Sequence, residues 1–112
     1  MANAYKNIQT LISSAGADVD MYTAPDETTS IIKSIKLYNT HGSNLVVDIT
    51  VYDLSSTTAF EWDTVTVDAS GSVDLLTFNN VLILEAGDIL RMQTPTTNVV
   101  KMTASVLQTS RT

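Results

Sequence analysis

Short stretches in which apolar and polar residues alternate dominate the chain. In residues 45–52, apolar side chains occupy every odd position, and the even positions are polar or aromatic except for Val46. Successive side chains of a β-strand point to opposite faces, so a period of two predicts a strand with one buried face. No segment keeps the 3.6-residue period of an amphipathic helix. The pattern therefore predicts an all-β protein.

Clusters of turn-forming residues divide the chain into eight or nine such strands. Ser, Gly, Asp, Asn and Pro concentrate between the alternating stretches, where they favour tight turns. Strands at this spacing predict a two-sheet antiparallel sandwich of jelly-roll or immunoglobulin-like type. The predicted strands lie at 4–12, 18–23, 29–39, 45–52, 59–67, 73–76, 81–84, 89–93 and 99–107.

Three places in this pattern give more specific expectations. In 29–39 the apolar face is assigned to Ile31, Ile35 and Leu37, and Lys33 falls on the same face, so its charge is expected to reach solvent at an end of the sandwich. Residues 29–39 and 45–52 are predicted to form a hairpin. The apolar phase slips within 59–67, around Trp62, which predicts a β-bulge.

Two further segments complete the pattern. In Glu85–Asp88, Gly87 suits the left-handed conformation that closes a short hairpin loop. In the final strand, alternate apolar residues predict an inward face made of Val100, Met102, Ala104 and Val106.

The chain of 112 residues is expected to fold as one domain. Residues 1–15 alternate poorly and are interpreted as an N-terminal arm or edge strand. Residues 16–108 are predicted to form the sandwich, and residues 109–112 a polar tail that frays. No basic, apolar signal-peptide pattern begins the sequence, and the longest apolar run, 81–84, is too short to span a bilayer.

Composition excludes several classes of function. The chain has no cysteine, so disulfides, thiolate nucleophiles and sulfur-ligated metals are excluded. Its net charge of −6 at pH 7, with scattered lysines and arginines, lacks the basic stripe of a nucleic-acid-binding protein. Neither nucleic acid nor a membrane is therefore expected as a partner.

Candidate chemistry is sparse. His41, the only histidine, lies beside Gly42 in a predicted turn and has no recognisable nucleophile or acid around it. Glu61 and Asp63 flank Trp62 and resemble part of a glycosidase or carbohydrate-binding site, so a small hydrolase is one alternative. A solvated edge with a buried tryptophan is favoured.

Carboxylates also occur in pairs elsewhere, at Asp18 with Asp20 and at Asp26 with Glu27, but they lack the ligand order of a calcium loop. We predict no catalytic residue, no metal site and no cofactor, and hence a protein that is not an enzyme.

Four tyrosines are the candidate interaction residues. Tyr5, Tyr22, Tyr38 and Tyr52 are predicted to lie opposite the apolar faces or at strand ends. Tyrosine suits protein interfaces because its ring is apolar while its hydroxyl tolerates water. Within the predicted hairpin, Tyr38 and Tyr52 are expected to be neighbours.

Three segments, 21–25, 28–40 and 82–90, carry a resemblance to a known family. Over residues 19–107 the chain resembles the small all-β virion structural proteins of tailed bacteriophages, above all capsid decoration (cement) proteins. The resemblance implies a homotrimer on the capsid surface that binds the major capsid protein or other virion proteins. The alternatives are a tail, neck or fibre component, or a carbohydrate-binding module for host attachment that uses Trp62.

Overall fold

The computed structural model describes residues 3–13, 16–75, 81–96 and 99–110. Nine β-strands, and no helix, form within these residues, which confirms the all-β prediction and the strand count. The strands are β1 (Asn3–Leu11), β2 (Val19–Thr23), β3 (Thr28–Asn39), β4 (Leu45–Asp53), β5 (Thr58–Val67), β6 (Ser72–Asp74), β7 (Leu82–Leu84), β8 (Ile89–Gln93) and β9 (Val100–Ser110).

The strands form two antiparallel sheets that pack face to face. The five-stranded sheet has the order β1-β9-β3-β6, with β7 also paired to β3, and the four-stranded sheet has the order β2-β8-β4-β5. The chain passes from one sheet to the other at most of its connections. This order is that of a jelly roll, in which the strand position beside β3 is shared by β6 and β7.

The core lies between the sheets and is built from alternate residues of both. On β9, the predicted inward residues Val100, Met102, Ala104 and Val106 are all buried, as are the odd-numbered residues of β4 from Leu45 to Ile49. Burying one such aliphatic side chain contributes about 1.5–3 kcal/mol. In the described residues, no buried side-chain nitrogen or oxygen lacks a hydrogen-bond partner.

A bulge in β3 overturns the face predicted for its first half. The pairing of β3 with β9 shifts register between Ile32 and Ser34, which leaves Lys33 as the extra residue. Ile32 is fully buried, whereas Ile31 lies on the outer face and Lys33 is exposed. The expectation that Lys33 lies on the apolar face is therefore wrong, because the bulge resets the alternation by one residue.

Two predicted hairpins are connections between sheets. β3 belongs to the five-stranded sheet and β4 to the four-stranded sheet, so residues 40–44 cross from one to the other. Glu85–Asp88 likewise joins β7 to β8 in the opposite sheet, although Gly87 has the predicted left-handed conformation, with φ of 85°. A side chain at Gly87 would also overlap Leu54. Alternation reveals a strand but not its neighbour, which is why both hairpin predictions are wrong.

The bulge predicted in 59–67 is confirmed. On β5, Asp63 pairs with Ile49 and Glu61 pairs with Thr50, so Trp62 is the extra residue. Trp62 is half-buried and packs against the core. The change of apolar phase in the sequence was therefore a direct sign of the bulge.

The chain's first and last described segments pair with each other. β1 runs antiparallel to β9 from Asn3, opposite Thr109, to Leu11, opposite Lys101. The N-terminal segment is thus an edge strand over residues 3–11. β9 continues to Ser110, so residues 109 and 110 belong to a strand instead of the predicted tail, and residues 111 and 112 lie outside the described residues.

Asn39 fixes the connections at one end of the sandwich. Its buried side-chain amide Nδ2 donates to the carbonyl oxygens of Ser43, at 2.9 Å, and Val67, at 3.1 Å, with Asp68 at 3.3 Å. Its Oδ1 accepts a hydrogen bond from the backbone N–H of His41. One side chain therefore joins the end of β3, the crossing to β4 and the end of β5.

Asp88 has the same role at the opposite end. Its carboxylate, 8% exposed, accepts hydrogen bonds from the backbone N–H groups of Leu54, at 3.1 Å, and Glu85, at 3.0 Å. Its carbonyl oxygen accepts from the N–H of Ala24 at 2.9 Å. The ends of β2, β4 and β7 thus converge on this residue.

Tyr22 lies in the core, contrary to the prediction that its ring faces solvent. A register shift between Asp20 and Tyr22 places Met21 and Tyr22 both in buried positions, and Tyr22 is 8% exposed. Its hydroxyl shares a 2.7 Å hydrogen bond with Ser30 Oγ and accepts another from Gln108 Nε2. This bulge, like the one in β3, interrupts the alternation from which the inner face was predicted.

Replacement of Asn39 by alanine tests its role at the sheet crossing. The substitution leaves buried carbonyl groups without their donor, and we expect Asn39→Ala to lower the free energy of unfolding by about 1–3 kcal/mol. Urea denaturation followed by circular dichroism measures the loss. Ser43→Ala, in the same turn but exposed, is the control, and an equal effect of both variants would contradict the assignment.

Removal of single tyrosine hydroxyls separates the buried from the exposed tyrosine. Tyr22→Phe leaves the buried Ser30 hydroxyl and the Gln108 amide without a partner, so a destabilisation of about 1–3 kcal/mol is expected. Tyr38→Phe, on the outer face, is expected to stay within about 0.5 kcal/mol of the wild type. The same denaturation curves measure both, and a neutral Tyr22→Phe would mean that Tyr22 faces solvent.

Candidate interaction surface

An apolar row crosses the outer face of the five-stranded sheet. Tyr5 pairs with Leu107, Leu107 with Ile31, and Ile31 with Ile83, so the four side chains lie side by side on β1, β9, β3 and β7. Tyr5 is 76% exposed and Ile83 is 57% exposed, while the central two are half-buried. With strands about 4.8 Å apart, the row spans roughly 14 Å. We call these four residues the apolar row.

Lysines occupy the same face beyond the apolar row. Lys36 on β3 and Lys101 on β9 line a shallow depression of about 190 Å³ together with Tyr38 and Thr103. Lys33 is exposed at the β3 bulge. In the described strands of this face, Asp74, opposite Lys36, is the acidic residue. The face is therefore positive although the whole chain is acidic.

The outer face of the four-stranded sheet has the opposite character. Asp20 forms an ion pair with Arg91 at 2.9 Å, and the Arg91 guanidinium lies 4.8 Å from the centre of the Tyr52 ring. Asp48 and Glu61 both accept from Thr64 Oγ1, at 2.9 and 3.0 Å. Neither of these two carboxylates has a cationic partner in the described part of the chain, so the face is negative.

The predicted tyrosine surface is only partly assembled. Tyr5 and Tyr38 lie on the outer face of the five-stranded sheet, Tyr52 lies on the other sheet under Arg91, and Tyr22 is in the core. Tyr38 and Tyr52 are therefore not neighbours, because the predicted hairpin does not exist. That Tyr5, Tyr38 and Tyr52 take part in contacts remains a prediction.

Sequence reasoning missed the other three members of the apolar row. Ile31 was assigned to the core, and Leu107 and Ile83 were not singled out. Each is an ordinary apolar residue, and only the pairing of four strands brings them into line with Tyr5. The available signal was a break in alternation, since 31–32 and 82–84 are continuous apolar runs.

The remaining candidate residues show no arrangement typical of catalysis. His41 Nδ1 accepts from the backbone N–H of Ser43 at 3.2 Å, within its own turn. Asp63 is exposed and accepts from the N–H of Thr64. Hydrogen bonds from Ser55, foremost from its hydroxyl, lower the pKa of the Asp53 carboxyl. Asp18, Asp26 and Glu27 are exposed, and the described residues contain no cluster of three or more potential metal ligands.

Within the described ranges, no helix is long enough and apolar enough to span a membrane.

Comparison with known proteins identifies the fold but no sequence family. No family model matches the chain, and no curated protein matches it. A chain from the endospore appendages of Bacillus, which form a family of disulfide-linked pili, is 12% identical with a TM-score of 0.61. The match covers 98% of this chain and 89% of the appendage chain.

A second solved structure is a chain of the virus-like particle of the extra small virus of the giant freshwater prawn Macrobrachium rosenbergii. It is 16% identical, with a TM-score of 0.54, and the match covers 96% of this chain and 79% of the viral chain. Neither neighbour comes from a tailed bacteriophage, so that resemblance remains a prediction. At these identities the comparisons show what the chain shares with both proteins, which is the two-sheet sandwich fold.

Proposed function

We propose that the protein is a non-enzymatic structural subunit of a larger particle, and specifically a phage virion structural protein. The observation that carries the proposal is the apolar row, which lies on the surface across four strands. Exposed apolar patches on small soluble domains mark contact sites, because water contact with such a patch is unfavourable. Both structural neighbours come from assemblies built of protein subunits, a pilus and a virus-like particle, which supports the same reading.

Capsid decoration is the placement we propose first. The resemblance of residues 19–107 to decoration proteins supports it. A tail, neck or fibre position is the alternative, and the pilus neighbour gives it some support. This chain lacks cysteine, so any assembly that it forms must hold together without disulfide links.

Two other functions receive no support from the geometry. The carbohydrate-binding alternative required an exposed tryptophan platform, whereas Trp62 is half-buried in the β5 bulge. A hydrolase would require Glu61 and Asp63 to face each other across a cleft, whereas both are exposed on an edge strand of an open sheet. We therefore propose neither.

Particle incorporation tests the proposed function. Virions purified from a host lysate are expected to contain the chain in fixed proportion to the major capsid protein, measured by quantitative mass spectrometry, and cryo-electron microscopy then locates it. Absence of the chain from purified virions would contradict a virion role. Density at the tail or neck would contradict capsid decoration but would leave the virion role standing.

Variants of the apolar row connect incorporation to the surface. Tyr5→Ser combined with Ile83→Ser is expected to fold normally, because both side chains are exposed, and to lose most of its incorporation into particles. Phe60→Ser, an equally exposed apolar residue on β5, is the matched control and should be incorporated as the wild type is. Equal incorporation of all three proteins would show that the apolar row is not the contact.

A further inference from the structure

We infer that the positive outer face of the five-stranded sheet docks on the negative outer face of the four-stranded sheet of a second copy of this chain. The inference rests on the proposed structural function and names one partner for the apolar row. The two faces carry opposite charge. Lys33, Lys36 and Lys101 outnumber one carboxylate on the first face. On the second face Arg91 is paired with Asp20, and Asp48 and Glu61 have no ion-pair partner among the described residues.

The two carboxylates share one side-chain donor within the described part of a single copy. Asp48 and Glu61 accept from the same Thr64 hydroxyl, and one hydroxyl carries a single proton, so it can donate to only one of them at a time. Two negative groups around one donor repel each other. A lysine ammonium carries three donors and a positive charge, so it can donate to both carboxylates and offset their repulsion.

The spacing of features along the strands matches between the two faces. On the second face, Tyr52 pairs with Ile89 and with Ala59, which makes a partly apolar row of its own. Asp48 lies four residues before Tyr52 on β4. On the first face, Thr103, which pairs with Lys36, lies four residues from Leu107 on β9. Both separations are about 13 Å at 3.3 Å per residue, so stacking the two rows brings Lys36 close to Asp48.

The sheet edges disfavour the competing mode, in which copies pair strand to strand. Lys6 on β1 pairs with the buried Val106, and Asp63 on β5 pairs with the buried Ile49, so both charges point toward the inner side at an edge while remaining exposed. Inward-pointing charges on edge strands block edge-to-edge pairing. Face-to-face stacking leaves both charges in water.

The two faces look in opposite directions, which decides the form of the assembly. An interface between two different surfaces is heterologous, and it produces a ring only if the rotation between copies closes. Opposite faces of one sandwich continue in a line, so we expect an open stack instead of the closed homotrimer that the decoration resemblance implies.

Charge reversal with mixing tests the inference. Sedimentation velocity of the purified wild-type chain over a range of concentrations is expected to show reversible association that weakens as salt is added. Lys36→Glu and Asp48→Lys are each expected to weaken self-association about tenfold. Mixed, they are expected to regain association, because the intact acidic face of one variant meets the intact lysine face of the other.

Lys6→Glu is the matched control: it makes the same charge change off the face and should associate as the wild type does. Circular dichroism melts establish that each variant folds, and Lys36→Gln, expected to weaken association less, replaces Lys36→Glu if the latter does not fold. A monomeric wild type at all concentrations, or an Asp48→Lys chain that associates normally, overturns the inference. If the inference fails in either way and the wild-type chain is still found in virions, the proposed function stands and another virion protein covers the apolar row.

Discussion

Two buried polar side chains, Asn39 and Asp88, hold the connections that let one chain alternate between two sheets. A jelly roll crosses between its layers repeatedly, and each crossing interrupts the strand ladders that otherwise satisfy backbone N–H and C=O groups. Asn39 supplies donors to carbonyl groups at one end, and Asp88 supplies acceptors to N–H groups at the other. With both ends fixed in this way, the inner faces pack together and the outer faces remain as two separate surfaces.

Much of this fold was predictable from the sequence, because burial on one face of a strand is recorded directly as alternation. β4 and β9 were predicted with the correct inner faces, and the phase slip at Trp62 marked the bulge in β5. The bulge at Lys33 was not recognised, because Ile31 and Ile32 are equally apolar and the sequence does not say which one turns inward. Strand neighbours were missed for a different reason: Asn39 and Asp88 redirect the chain through contacts with residues far away in sequence.

The candidate surface was less predictable than the core. Tyrosine composition pointed to four residues. Tyr5 and Tyr38 lie on the outer face of the five-stranded sheet, whereas Tyr52 lies on the other sheet and Tyr22 lies in the core. The apolar row itself depends on the register of four strands, including β7, which joins the sheet through three residues. The charge asymmetry depends on the same register, since the net charge of −6 conceals a face on which lysines predominate. Properties of this kind belong to the pairing of strands and not to any single segment.

Protection of individual lysines tests most directly whether the outer face of the five-stranded sheet is the contact surface. The rate at which an amine-reactive reagent acylates each lysine is measured by peptide mass spectrometry, in dilute chain and in assembled particles. Lys36 and Lys101 are expected to react much more slowly in the assembly, while Lys6, at the edge of the sheet, keeps its rate. Unchanged rates at Lys36 and Lys101, with protection at Lys6 instead, would show that this face is not the contact and would point to association through the edge strand.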